Sequence, residues 1–256
     1  MTVKPIGVIA LNTFRENLRD KILYNLLLFA LLLIGASMVL GELTIAEKKK
    51  MVFDIGLAAI NLMGVIIAVF VGIGLVSKEI ERRTVYTIMA RPIARAHFIL
   101  GKYCGLALTL LVNIAIMLLV YLVTLWVNHV PMHVGVIQAI GLIYVELLLV
   151  TAIALFFSTF SSATLSAMMT LGLYVVGHLT TDLKAIGEKS LQPAVKTLTT
   201  ALYYLCPNLE ALNLKGEAAA GLAMGVSYLS LAAAYGLLYA VLLVGGACLV
   251  FQRRDF

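Results

Sequence analysis

Long apolar stretches recur along the whole chain, and they restrict its fold more than any other feature. A helix of about 20 apolar residues is long enough to cross the hydrocarbon core of a bilayer. Hydrophobic residues make up 62% of the chain and charged residues 12%, whereas a soluble domain is about half apolar and about a quarter charged. The sequence therefore predicts an all-α integral membrane protein and argues against a soluble fold.

Six of these stretches are long enough to be transmembrane helices, at residues 22–40, 53–76, 98–127, 134–157, 164–179 and 218–251. Neither an internal repeat nor a linker interrupts them, so we expect one transmembrane domain over residues 1–256. Two amphipathic helices are predicted at the membrane surface, an interfacial one within residues 1–21 and an outer one within residues 180–217. Their apolar stripes are Ile6, Ala10, Phe14 and Leu18 in the first, and Leu191, Val195, Leu198 and Leu202 in the second.

The basic residues indicate which side of the membrane each connection faces. With six spans, twelve Lys and Arg residues fall on the side of the two termini and seven on the other side. Because basic residues are enriched in cytoplasmic segments, the count predicts that both termini are cytoplasmic. Lys48, Lys49 and Lys50 lie in the first outer loop and oppose this rule. The net charge of +6 follows from the orientation and does not indicate nucleic-acid binding.

The segment 77–102 is the one interior stretch where charges crowd together between two apolar runs. Each charge would cost roughly 2.5–3.5 kcal/mol at the centre of a spanning helix, so the segment is expected in water. Its excess of basic residues places it on the cytoplasmic side. Val76, Ile80, Thr84 and Ile88 recur every four residues and predict an amphipathic helix. Pro92 ends this helix because it has no N–H to donate. Such a helix touches either the lipid surface or a soluble partner.

Glu79 and Thr84 are followed in this segment by Pro92, by Arg95 and by the pair Gly101-Lys102. This order resembles the coupling helix of ABC-2 type transporter permeases, whose pattern is roughly E-x-x-x-G-T, an apolar turn, P-x-S-R, an apolar patch and G-K. Arg83 stands where the family usually has Gly, and Ala94 where it usually has Ser. Within the family, the chain is most similar to the branch with the permeases of copper-enzyme (nitrous oxide reductase) maturation.

The resemblance implies that the chain is the membrane subunit of an ABC exporter, with segment 77–97 docked on a separate ATPase subunit. The residues implied at that contact are Glu79, Ile80, Arg82, Arg83, Thr84, Ile88, Arg91, Pro92 and Arg95. A second copy or a homologous permease, membrane lipid and a periplasmic protein are the other partners that it implies. The implied location is the bacterial cytoplasmic membrane.

The chain carries no ATP site of its own. A P-loop has the form G-x-x-x-x-G-K-[ST], in which backbone N–H groups and a lysine hold the phosphates. Gly101-Lys102 is followed by Tyr103 and lacks the preceding glycine loop. We therefore expect no catalytic residue and no bound cofactor in this chain, with ATP and Mg²⁺ on the ATPase.

Glu146 is the one carboxylate deep inside a predicted span. About 12 residues separate it from the start of that span, which is about 18 Å at 1.5 Å per residue. An ionisable residue at this depth is a functional candidate by default, so Glu146, with Asn61 and Asn113, is a candidate for lining the translocation path or the seam between two copies. The alternative interpretation is a hydrogen bond between helices, from Asn61 or Asn113 to Glu146.

Two other classes of protein stay open from the sequence. A secondary transporter or channel would use Glu146 for ion coupling, but several intramembrane charges or matching halves would be expected. A membrane-embedded enzyme would need clustered His, Asp or Ser side chains at one depth, and the sequence shows no such cluster. Met168, Met169 and His178 are of the types that bind soft metals, but their spacing does not define a metal site.

Overall fold

A computed structural model describes residues 3–42, 48–81, 95–190 and 192–253 of the protein. Within these ranges the chain forms helices and no strand, which confirms the predicted all-α class. Numbered in chain order, the α-helices are α1 (Val3–Asn17), α2 (Lys21–Glu42), α3 (Lys48–Glu81), α4 (Arg95–Val127), α5 (Val134–Ser158), α6 (Ala163–Lys189), α7 (Pro193–Leu205), α8 (Lys215–Ala219) and α9 (Val226–Arg253). A 3-10 helix at Glu210–Leu212 lies between α7 and α8.

Five helices, α3 to α6 and α9, are each long and apolar enough to cross a membrane. Helices α1 and α2 taken together are also long and apolar enough to cross a membrane, and the angle between them is 65°. At the bend, the carboxylate of Asp20 accepts a hydrogen bond from the backbone N–H of Ile22 at 2.9 Å and so caps the start of α2. The chain is therefore a multi-pass membrane protein, and its described residues form five candidate spans, or six if the bent pair counts as one.

The boundaries of two predicted spans differ from those in the structure. The fifth span was predicted to end at residue 179, but α6 continues to Lys189 because its last turns pack against α7, with Gly187 beneath Thr199. The last span was predicted to begin at residue 218, whereas α9 begins at Val226. Gly221 separates α8 from α9 with a φ of 76°, a left-handed conformation that an α-helix does not contain.

The centre of the bundle is the pair α3 and α5. In the most apolar window of each of these helices, 72% of the residues are buried inside the protein, against 22% in α6. A Cβ atom added at Gly64 of α3 would lie 2.5 Å from Leu147 Cδ1 of α5, so the helices meet closely there. Lipid provides no hydrophobic drive between helices, and small residues that allow close approach are the usual means of packing them.

The N-terminal helix α1 lies against the first half of α4. Gly101 and Gly105 of α4 face the backbone and side chains of α1, and the Asn17 side chain donates a hydrogen bond to Thr109 Oγ1 at 3.1 Å. Lys102 Nζ is 3.7 Å from a carboxylate oxygen of Glu16. The most deeply buried side chains of α1 are therefore Thr13 and Asn17, and the predicted stripe of Ile6, Ala10, Phe14 and Leu18 is only partly buried.

The segment 206–225, which connects α7 to α9, returns into the bundle. Leu209 and Leu212 are fully buried, and the backbone N–H of Leu209 donates to the Gly177 carbonyl of α6 at 3.0 Å. The predicted outer helix corresponds to α7, which begins at Pro193; Leu191 lies outside the described residues. Leu198 of its stripe is 63% exposed, whereas Val195 and Leu202 are partly buried, so the chain itself covers only part of this stripe.

Three tyrosines of α9 hold this returning segment. The Tyr228 hydroxyl donates to the Ala211 carbonyl at 3.0 Å, and the Tyr239 hydroxyl donates to the Leu205 carbonyl at 3.1 Å. The Tyr235 hydroxyl accepts a hydrogen bond from the backbone N–H of Asn208 at 2.8 Å. These bonds satisfy backbone groups that have no partner within a helix.

Candidate functional site

A buried polar cluster joins the three helices α3, α5 and α6. Its members are Asn61 of α3, Glu146 of α5, and Tyr174 and His178 of α6. Glu146 has no exposed surface, and Asn61 is 3% exposed. Because the surrounding positions of α3 and α5 are apolar, the cluster places one carboxylate inside an otherwise hydrophobic core, and the partly buried His178 side chain, 19% exposed, lies at its edge.

Each group in the cluster has a defined neighbour. The Asn61 amide donates a hydrogen bond to Glu146 Oε2 at 2.8 Å, and the Tyr174 hydroxyl donates to Asn61 Oδ1 at 3.0 Å. His178 Nε2 lies 3.5 Å from the second carboxylate oxygen, Glu146 Oε1. A chain of contacts therefore runs from Tyr174 through Asn61 to Glu146 and returns to α6 at His178.

The spacing along α6 places both of its polar groups on one face. Tyr174 and His178 are four residues apart, so their side chains are neighbours on the helix surface. The two rings lie 4.6 Å apart between centroids, and His178 Nδ1 is 3.3 Å from the Tyr174 carbonyl oxygen. With Nδ1 turned to its own helix, Nε2 is the ring nitrogen directed at the carboxylate. This arrangement can hold an ion pair or share a proton between His178 and Glu146.

Among the described residues, no three His, Cys, Asp or Glu side chains come together in a way that would hold a metal ion. The carboxylate of Glu146 and the imidazole of His178 that faces it are groups that can carry a charge or exchange a proton.

The structure brings together only part of the predicted intramembrane set. Asn61 contacts Glu146, as the hydrogen-bond interpretation requires. Asn113 does not, because its amide donates to the Thr109 carbonyl of its own helix at 2.8 Å. Sequence reasoning missed Tyr174 as a member of the cluster and considered His178 only as a metal ligand. The spacing of four residues between them was the available signal, but it does not identify the partner helix.

The predicted coupling segment is described only at its two ends. Six of the residues predicted at the ATPase contact lie outside the described residues, namely Arg82, Arg83, Thr84, Ile88, Arg91 and Pro92. The backbone of Glu79 and Ile80 belongs to the last turns of α3, which ends at Glu81. Arg95 is the first residue of α4, and its guanidinium Nη1 donates to the Gln252 carbonyl of α9 at 3.1 Å.

Comparison with known families gives a match over nearly the full length. A family model described as "ABC-2 family transporter protein" matches residues 8–256. The match includes every helix that could span a membrane, the polar cluster and the segment between α3 and α4. No curated protein matches the chain.

Proposed function

Because the chain belongs to the ABC-2 family of transporter proteins, we propose that it is the permease subunit of an ABC exporter, driven by a separate ATPase subunit. The observation that carries the proposal is the family match over residues 8–256, which coincides with a bundle of five or six apolar helices. The sequence contains no P-loop, so the ATP that drives transport would be bound and hydrolysed by the partner chain.

We propose that segment 77–97 is the contact with that ATPase. The segment begins in the last turns of α3 and ends in the first turn of α4, so a force on it acts on both helices. ATP-driven closure of the ATPase subunits would then move membrane helices as rigid bodies. We expect α6 to move relative to the α3–α5 pair, because α6 has the smallest buried fraction of the five spans.

We propose the following assembly and location, which the family membership supports. Two copies, or this chain and a homologous permease, surround the path in the bacterial cytoplasmic membrane, and a periplasmic protein receives the substrate. Both termini would be cytoplasmic, as the basic residues indicate. Single cysteines replacing Lys49 and Lys189 should then react with an impermeant reagent in intact cells. A cysteine replacing Arg91 should react only after permeabilisation, and its labelling from outside would refute the orientation. The resemblance to the copper-enzyme maturation branch stays a prediction.

The pair of the buried Glu146 and the partly buried His178 favours a second candidate, a secondary transporter that couples to an ion. Intramembrane ionisable groups often mark ion pathways. In that case transport would depend on an ion gradient and would continue without ATP hydrolysis. The two candidates differ in whether an ATPase is a stoichiometric partner.

A pull-down from native membranes tests the proposal. Substitution of both Ile80→Asp and Ile88→Asp should release a co-purifying ATPase, because the apolar face carries most of the affinity at roughly 25 cal/mol per Å² buried. Arg82→Ala should weaken the association only mildly, since an exposed ion pair contributes about 0–1 kcal/mol. If no polypeptide with a P-loop co-purifies with the wild-type chain, the exporter proposal fails and the ion-coupled candidate gains support.

A further inference from the structure

The first residue of α4 binds the last turn of α9. Arg95 Nη1 donates to the carbonyl oxygens of Gln252 at 3.1 Å and of Phe251 at 3.5 Å. The last four carbonyls of a helix have no partner within the helix, and a cation beside them also complements the helix dipole. The Arg95 side chain therefore caps the C-terminal end of α9.

Apolar contacts fix the same two helix ends. The rings of Phe98 and Phe251 stack with centroids 5.8 Å apart and an angle of 19°, and both side chains are buried. One turn earlier on α9, the Cys248 thiol lies 3.9 Å from the Ala96 carbonyl oxygen. The beginning of α4 and the end of α9 thus form one packed unit, although they are more than 150 positions apart in the sequence.

This unit lies at the boundary of the proposed ATPase contact. Arg95 is the last of the residues that the family pattern assigns to the coupling helix, and its guanidinium is engaged with α9 rather than free for a partner. The last two residues of α9, Gln252 and Arg253, are exposed.

We propose that the C-terminal end of α9, at Gln252 and Arg253, is a second docking site for the ATPase subunit, and that Arg95 is the residue that positions it. This inference rests on the proposed function, because it names a further surface for the same partner. The bond from Arg95 places the end of α9 beside the last residue of the coupling segment, and the exposed Arg253 calls for an acidic surface on the ATPase. The role of Arg95 is to hold α9 in place, not to contact the ATPase.

Site-specific photo-crosslinking in native membranes tests this docking site. The photoreactive residue p-benzoylphenylalanine is placed at position 252, at position 88 as the coupling-segment reference, or at Leu242 as the control. Leu242 is 72% exposed and lies in the middle of α9, where only lipid or another membrane chain could meet it. Crosslinks to a polypeptide with a P-loop, identified by mass spectrometry, are expected from positions 88 and 252 and not from position 242.

The role of Arg95 is tested in the same assay. Arg95→Ala should lower the crosslinking yield from position 252 about tenfold, as expected when a hydrogen-bonded charge is removed. It should change the yield from position 88 by less than about twofold, and Arg95→Lys should restore part of the loss, because Lys keeps the charge but not the fork of donors. A yield from position 252 that is equal in wild type and Arg95→Ala would overturn the positioning role.

The outcomes separate this inference from the proposed function. A crosslink from position 88 without one from position 252 leaves the exporter intact and refutes the second docking site. Absence of an ATPase crosslink from both positions refutes the exporter and the docking site together. Should Arg95→Ala fail to accumulate, the wild-type comparison of positions 252 and 242 still decides whether the docking site exists.

Discussion

The neighbouring helices α5 and α6 are packed in opposite ways. In the most apolar window of α5, 72% of the residues are buried, whereas in α6 the fraction is 22%. Both are long enough to cross the membrane, and the short connection at residues 159–162 joins them. The helix that is enclosed by the protein has the higher mean hydropathy, 2.5 against 1.3.

The sequences of the two helices account for this difference. From Leu147 to Leu155, α5 is almost continuously apolar and is buried on all sides. Along α6, Ser, Thr and Gly alternate with large apolar residues, and the buried positions are mostly small, such as Ser166 and Thr170. Its large apolar side chains point away from the chain's core, at Leu165, Met168, Leu171, Val175 and Leu179.

A helix packed in this way depends on a few directional bonds for its position. Tyr174 and His178 attach α6 to Asn61 and Glu146 of the α3–α5 pair. Gly177 attaches it to the returning segment through the N–H of Leu209. We therefore expect the closely packed α3–α5 pair to be a fixed core, and we expect α6, which is held by polar bonds, to move relative to it. The following substitutions test this contrast.

The largest effect is expected where α3 and α5 approach most closely. Gly64→Leu forces a side chain into the space filled by Leu147 and should lower stability by about 3 kcal/mol, the upper range for overpacking. Gly172→Leu on α6 is the matched control, since a Cβ at Gly172 meets no atom within 4 Å. Thermal melting of the purified chains in detergent measures both. Equal losses of stability would contradict the fixed-core assignment.

A smaller effect is expected from the two buried asparagines. Asn61→Leu leaves Glu146 Oε2 and the Tyr174 hydroxyl without their partner and should cost about 2 kcal/mol. Asn113 is equally buried but bonds only within its own helix, so Asn113→Leu should change the melting temperature little, by the equivalent of about 0.5 kcal/mol. If Asn113→Leu proves the more damaging, the cluster does not hold α6 in place.

The substitution Glu146→Gln should show whether Glu146 affects ATP turnover apart from its role in holding α6 in place. Glutamine keeps the volume and an acceptor for Asn61, so folding should be preserved, but it removes the charge that faces His178. We expect ATP turnover by the complex to fall about fivefold, within the usual range of coupling between sites. The control is Glu188→Gln, which removes an exposed carboxylate near the end of α6. Unchanged turnover in Glu146→Gln would leave Glu146 a packing residue.

The sequence predicted the spans well and the contacts between them only in part. Apolar length was enough to place α3, α4 and α5 within a few residues, because a bilayer requires that length. Of the two suggested partners of Glu146, Asn61 was also correct. The later boundaries were less accurate, because the polar end of α6 is helical through packing against α7 rather than through apolar periodicity.

The apolar periodicity of the sequence could not predict the contacts between distant parts of the chain. Periodicity identifies the apolar face of a helix but not the helix that it meets. In α1 the deepest positions are the polar Thr13 and Asn17, beside two glycines of α4 that a stripe of large apolar residues does not reveal. In the same way, the family pattern included Arg95, but only the structure shows that its guanidinium bonds to α9.

One distance measurement tests the central contrast directly. Spin labels are attached to cysteines that replace the exposed Leu62 of α3 and Leu171 of α6, after the three native cysteines are removed. The reference pair joins Leu62 to the exposed Ile137 of α5. In complexes with the ATPase, diluted with unlabelled chain, ATP should shift the α3–α6 distance distribution and leave the α3–α5 distribution unchanged. A shift in the α3–α5 pair with a constant α3–α6 distance would contradict the account.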